Sequence, residues 1–270
     1  MIRLGISVWD VPGAGRFYRS VAGRYAQGLR RSRSRFRRVM VGDTTLVLDV
    51  TEFTTASLYF GNVPYEPQTT QFFRRHLRCG GVFADVGANH GYFTVLAAAL
   101  VGEKGRVFAF EPNPPVYGQL AEHVRLNHFE QRVVLLQEAL SDTAGEGARL
   151  FVSQCPDNSG LSSLTPGAET IAAGSLSEAS TIRVRTDTFD GWLASGSAQC
   201  VDLVKIDTEG AEAHVVRGMS RALREKRIGA VVCETQWGSE AHGLLCASGL
   251  VPEVLETTGT LANVAYELPR

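Results

Sequence analysis

Seven residues, Asp85-Val86-Gly87-Ala88-Asn89-His90-Gly91, bring an acid, two glycines and two polar side chains into what reads as one turn. The apolar run Gly81–Ala84 leads into it, and Tyr92-Phe93 opens a helical pattern behind it. Twenty residues past Gly91, Glu111 ends a second short apolar run, Arg106–Phe110. A glycine turn lets backbone lie against a ligand, and an acid at the end of the next strand can accept both hydroxyls of a ribose. The pair predicts a pocket for an adenosine-bearing cofactor. The dinucleotide pattern Gly-x-Gly-x-x-Gly is not met, because the register reads Gly87, Asn89, Tyr92, so close approach of a pyrophosphate to the helix N-terminus is not expected. Asp85 would repel a pyrophosphate but could help hold an ammonium group, directly or through water. S-adenosylmethionine carries that ammonium, a ribose and an adenine. The plain alternative is a tight strand–helix turn of any doubly wound protein.

On this reading Asp85, Gly87, Asn89 and Gly91 take the methionine end, Glu111 the ribose, and Glu138 with Ala139 the adenine edge. Glu111 could instead be an acid favoured by a helix N-terminus, but Asn113 already supplies a cap for the helix that Pro114 opens.

A second acidic set lies at Asp207, Glu209 and Glu212, with Glu234 further on. Clustered carboxylates raise one another's pKa and can yield a base near neutrality. They could equally bind Mg²⁺, a hard cation that takes one or two carboxylates and keeps waters. Asp207 ranks first as base or acceptor-orienting group, with Glu234 beside it, and second, with Glu209, as metal ligand. Glu209 and Glu212 would also suit a helix N-terminus. His90 is placed to reach an acceptor or merely to pack its loop. His76, His123, His128 and His242 have no metal-ligand spacing. Ser162 and Ser163 lack a Gly-x-Ser-x-Gly elbow, which leaves serine hydrolysis without support.

DVGANHGYF (85–93), FEPNP (110–114), EALSD (138–142), NSGLSSL (158–164) and VKIDTEGAE (204–212) occur in this order. Together with Pro64-Tyr65-Glu66-Pro67 they resemble the FkbM-type S-adenosylmethionine-dependent methyltransferases over roughly residues 40–235. The resemblance implies a class I methyltransferase (Rossmann-like) fold and O-methylation of a natural product or sugar; transfer to N or C and a non-catalytic nucleotide-binding module are the alternatives. It also implies that Tyr65, Glu66 and the segment from Asn158 to Ser163 line the pocket; Glu66, with Pro112, Asn113 and Asp207, completes the expected cofactor site. Methyl transfer from a sulfonium is an in-line displacement. Alignment alone lowers such barriers by about 7–11 kcal/mol, and a base for an alcohol acceptor adds roughly 10²–10⁴-fold.

The elements that must position these residues follow an α/β pattern: a doubly wound, mostly parallel seven-stranded sheet with an antiparallel last strand. Strands are expected at 82–86, 106–110, 132–137, 201–206 and 228–233, and helices at 91–101, from Pro114, at 211–225 and at 239–247. Segments 251–255 and 261–268 are joined by a link too short for a parallel crossover, so they should pair antiparallel. An insertion at about 147–186 holds two alternating strands (147–153 and 181–186) around a Ser/Gly/Ala/Thr-rich tract, a candidate lid. Residues 1–70 read as an extension with a helix at 14–31, a hairpin (36–41 and 45–50) and a short helix starting at Thr69, ahead of a domain at 71–270.

Composition narrows the partners. A net charge of −1 over 270 residues recruits neither nucleic acid nor an anionic membrane. The arginines between Arg24 and Arg38 could meet a membrane surface, RNA or an acidic carrier protein, but with only Tyr25 and Phe36 among them they read as a solvated face or arm. No apolar run is long enough to span a bilayer, and the start lacks a signal peptide's apolar core. Cys79, Cys155, Cys200, Cys233 and Cys246 are scattered without a CxxC and read as reduced thiols of a cytoplasmic protein. The expected partner is a small-molecule acceptor; oligomeric state is not encoded in any pattern found.

Overall fold

A computed structural model of the protein describes residues 28–29, 32, 35–51, 65–153, 162–165 and 180–269. The short apolar runs become the parallel core strands β3 (Val82–Val86), β4 (Arg106–Phe110), β5 (Val133–Leu136), β9 (Val201–Ile206) and β10 (Ile228–Thr235). Both their faces are buried, which is why they read as continuous rather than alternating runs. With β11 (Val251–Thr258) and β12 (Leu261–Glu267) they form one seven-stranded sheet in the order β11-β12-β10-β9-β3-β4-β5. Strand β12 lies between β10 and β11, antiparallel to both. The order runs outward from β3 through β4 to β5, then resumes on the other side with β9 and β10. The switch point therefore falls between β3 and β9, where open α/β sheets hold ligands beyond the strand C-termini.

Helices cover both faces. α2 (Tyr92–Val101) is apolar nearly all round and accordingly buried almost throughout. It is packed between the sheet and the antiparallel hairpin of β1 (Phe36–Val41) and β2 (Thr44–Asp49), whose Leu46 and Leu48 share its core with Phe72 and Phe73 of α1 (Pro67–His76). α3 (Pro114–Leu126) buries Val116, Leu120 and Val124 at the expected i, i+4 spacing. The other face holds α4 (Phe189–Ala194), α5 (Glu212–Gly218), α6 (Ser220–Arg224) and α7 (Glu240–Ala247). A small sheet of β6 (Ala139–Leu140), β8 (Thr181–Asp187) and β7 (Gly145–Phe151) stands beside the main one. Its antiparallel β7–β8 pair is the one expected of the insertion.

Two expectations are corrected. The helix expected over 211–225 is two, because Met219 leaves helical geometry (φ −110, ψ 11). The break accompanies a close approach: a Cβ on Gly218 would lie 2.0 Å from the Ser141 carbonyl oxygen. Asn113 occupies the N-cap position of α3 without a side-chain cap bond; its amide turns instead toward Ser162 Oγ, 3.4 Å away. α4 was not foreseen, although Thr188 accepts from the Gly191 N–H and Phe189, Trp192 and Leu193 are buried, a legible cap and apolar face. Of the helix expected at 14–31, only Gly28 and Leu29 are described, and both are helical; most of the tract 154–180 also lies outside the described residues. Cys79, Cys200, Cys233 and Cys246 are free thiols, and no helix among the described residues is long and apolar enough to cross a membrane.

Candidate active site

Backbone sterics shape the cleft at the switch point. Gly87 has φ +80, and a Cβ there would sit 1.9 Å from the carbonyl oxygen of Asp207. The end of β3 thus lies directly against the end of β9, and only glycine allows it. Gly91, at φ +86, is closed in by Leu120 of α3 at 2.4 Å. Both glycines answer first to neighbouring protein, whatever else their turn admits. Between them Asn89 takes a left-handed φ of 51.

Glu111 is the centre of the cleft's polar wall. Its carboxylate accepts the Asn89 N–H at 2.9 Å and the Asn113 N–H at 2.8 Å, one on each oxygen. Burial raises its pKa to about 7 despite those two bonds. Each oxygen keeps further lone-pair capacity. Asn89 Oδ1 and Asn113 Oδ1, also in this wall, are buried acceptors without a partner. Beyond them Val116, Leu140, Leu150 and Leu164, with Phe110 and Ala139, make an apolar end. The cleft holds about 650 Å³, open solvent included. Ser162–Thr165 cross it: Ser163 pairs with Phe151, and Thr165 Oγ1 donates to the Gly210 carbonyl at 2.9 Å.

At the opposite end the cleft reaches Asp207, Thr208 and Glu209. Asp207, Glu209 and Glu234 bring carboxylate oxygens within 4.8 Å of one another. Beneath them Lys205, 3% exposed, places Nζ 2.7 Å from Asp207 Oδ2 and over the Phe93 ring. Burial opposes its charge, but the carboxylates of Asp207, Glu66 and Asp85 outweigh it and hold the lysine above its usual range. The acids are displaced too. Glu234 is pushed up to about 9, by the charge of Asp207 first and by burial second; burial, then Asp207, pushes Glu209 up to about 8. Burial raises Glu66 to about 7 and Asp85 to about 6. An excess of carboxylate over one ammonium favours a cationic ligand.

The sequence-derived residues divide accordingly. Gly87, Asn89, Glu111, Pro112, Asn113, Ala139 and Asp207 share the cleft wall. Asp85 sits beneath the loop, its carboxylate accepting from Thr94 Oγ1 at 2.6 Å. Glu66, at a strained φ of 45 ahead of Pro67, faces the Lys205 group from α1. Glu138 is buried beside Ala139 and pairs with Arg185 at 3.4 Å. His90 lies outside the wall, and its carbonyl oxygen is 2.6 Å from His123 Nδ1. Glu212 is structural: one oxygen accepts from the Thr208 N–H, the Thr208 hydroxyl and the Gly210 N–H. Lys205 was missed, although a Lys–Asp pair at i, i+2 in an apolar strand puts both on one face.

The Methyltransferase FkbM domain family matches this chain over residues 85–267, more than half of its 270 residues. The chain belongs to that family. Hexuronic acid methyltransferase AglP of Haloferax volcanii is 31% identical over 146 residues, 53% of this chain and 52% of that protein. Methyltransferase sdnD of Sordaria araneosa is 28% identical over 156 residues, 50% of this chain and 59% of that protein. The chain spans about half the length of the curated relatives it matches. The crystal structure of methyltransferase FkbM from Methylobacillus flagellatus KT aligns with 97% of this chain and 62% of that one, at 12% identity and a TM-score of 0.46.

S-adenosylmethionine, the methyl donor that an FkbM methyltransferase fold implies, suits these residues. Two buried carboxamide oxygens await donors, Glu111 has spare acceptor capacity, and the acid-rich end suits a sulfonium and an ammonium.

Proposed function

We propose that this FkbM methyltransferase transfers a methyl group from S-adenosylmethionine to a hydroxyl of a sugar or another natural product. The observation that carries the reading is Glu111, pinned by two backbone donors in a cleft that ends at Asp207 and Glu209. The sugar-directed name of its relative AglP supports the acceptor class. When bound, the cofactor supplies an electrophilic methyl carbon on a sulfonium.

The chain's own residues do the rest. Glu111 accepts the ribose hydroxyls through its spare lone pairs, and the Oδ1 atoms of Asn89 and Asn113 accept from the ligand's donors. Asp85 acts on the ammonium group only at a distance, through its charge. The apolar end from Phe110 to Leu164 takes the adenine. Asp207, fixed by Lys205, orients the acceptor hydroxyl, and Glu234 receives its proton. Ser162–Thr165, lying across the cleft, help exclude water from it.

Calorimetry tests the reading. The protein should bind S-adenosylmethionine with a Kd on the order of micromolar (about −8 kcal/mol) and should not bind NAD. Glu111→Ala should weaken donor binding about 100-fold, the loss of roughly two hydrogen bonds to a charged group. Tight NAD binding with no heat from S-adenosylmethionine would refute the assignment.

A further inference from the structure

His123 lies on α3, away from the cleft wall, with its ring 1% exposed. Nδ1 is 2.6 Å from the His90 carbonyl oxygen, and Nε2 lies 3.0 Å from the Val47 nitrogen and 2.9 Å from the Val47 carbonyl oxygen. In the neutral tautomer with Nδ1–H the ring donates to His90 and accepts the Val47 N–H, and the Val47 carbonyl gets no donor from it. Burial lowers the pKa of the ring, which keeps it in that neutral form. One turn later Asn127 meets Thr45, its Oδ1 accepting the Thr45 N–H and its Nδ2 donating to the Thr45 carbonyl, each at 2.7 Å. Positions i and i+4 of a helix thus serve positions i and i+2 of a strand. Together the two side chains give the open edge of β2 most of what a further strand would give it. Of the two, His123 alone continues to the loop between β3 and α2.

That loop needs holding. Asn89 stands in the left-handed region, at φ 51, which a non-glycine residue holds only under strain. The turn is closed by the Gly91 N–H on the Ala88 carbonyl, the Asn89 N–H on Glu111 and the His90 carbonyl on His123. We propose that His123 is a positioning residue for the methyl donor: by gripping the His90 carbonyl, with the β1–β2 hairpin as backing, it fixes the turn that presents Asn89 to the cleft. The inference rests on the reading that this cleft takes S-adenosylmethionine.

The experiment compares His123→Ala with Asn127→Ala, which cuts the same helix-to-hairpin tie but leaves the loop untouched. Binding of S-adenosylmethionine is measured by calorimetry, well below the melting temperature of each variant. His123→Ala should raise Kd at least tenfold, whereas Asn127→Ala should lower Tm and leave Kd within twofold of wild type. His123→Gln, which can donate to His90 and accept from Val47, should restore Kd to within about threefold. If His123→Ala does not fold, His123→Leu, which fills the site without hydrogen bonds, takes its place with the same expectation. Wild-type affinity in the His123 variant, or an equal loss in Asn127→Ala, would overturn the inference alone. No binding by the wild type would overturn the proposed function and the inference with it.

Discussion

Burial alone would lower the pKa of Lys205, and the carboxylates of Asp207, Glu66 and Asp85 outweigh it. The same crowding leaves Glu234, at about 9, and Glu209, at about 8, able to hold a proton close to physiological pH. A base is most effective when its pKa lies near the working pH, and a bound cation would draw that of Glu234 downward from its ligand-free value. Turnover should therefore rise between about pH 6 and pH 9. Glu234→Gln should lower kcat by roughly 10²–10³-fold and flatten that rise, with the Kd for S-adenosylmethionine within about threefold. A pH–rate profile measured alongside calorimetry decides this, and an unchanged profile would remove Glu234 from proton transfer. At this scale the acids were legible, because Asp85, Glu111, Asp207 and Glu234 stand where apolar runs stop. Their division of labour was not. Whether Asp85 faces a ligand or Thr94 depends on how the turn at Asn89 closes, and no spacing encodes that.

Among the elements, the contact between the ends of β3 and β9 sets the geometry most tightly. Gly87→Ala would press a methyl group to 1.9 Å from a backbone oxygen, at a φ of +80. Backbone cannot swing aside as a long side chain can. The substitution should cost about 3 kcal/mol or more and lower Tm by roughly 6–12 °C; thermal denaturation checks it, and an unaltered melt would show that the two ends separate freely. The strands were readable because each is a short apolar run bounded by glycine or a polar residue, and the hairpin because Gly42-Asp43 separates two alternating segments. The broken helix at Met219 was not, since its cause is the Ser141 carbonyl against Gly218, 77 positions away in the chain. The side-chain ladder from His123 and Asn127 to β2 escaped for the same reason: its partners are backbone atoms of a distant strand.

For the molecule as a whole, the raised carboxylates link stability to pH. Asp85, Glu66, Glu111, Glu209 and Glu234 have folded-state values of about 6, 7, 7, 8 and 9, all above those of an unfolded chain. The folded, ligand-free protein therefore binds more protons than the unfolded chain from about pH 4 to pH 9. The stability this contributes is complete below the unfolded values and is lost as pH rises through the folded ones. Between pH 5 and pH 9 the free protein should lose stability, and its Tm should fall. S-adenosylmethionine, cationic at the acidic end of the cleft, should restore most of the loss at the upper end of that range. Scanning calorimetry with and without the ligand tests both, and a Tm that climbs from pH 5 to pH 9 in the free protein would contradict the burial of these groups.

Strand β12 sits inside the sheet although it follows every other strand in the chain, and β11 pairs only with it. During synthesis, then, the edges of β10 and β11 must wait, unpaired, until Leu261–Glu267 has emerged. Until then the nascent domain is prone to stick to its neighbours. Removing those seven residues would leave two raw edges and a loose flap, a molecule prone to aggregate rather than a trimmed enzyme.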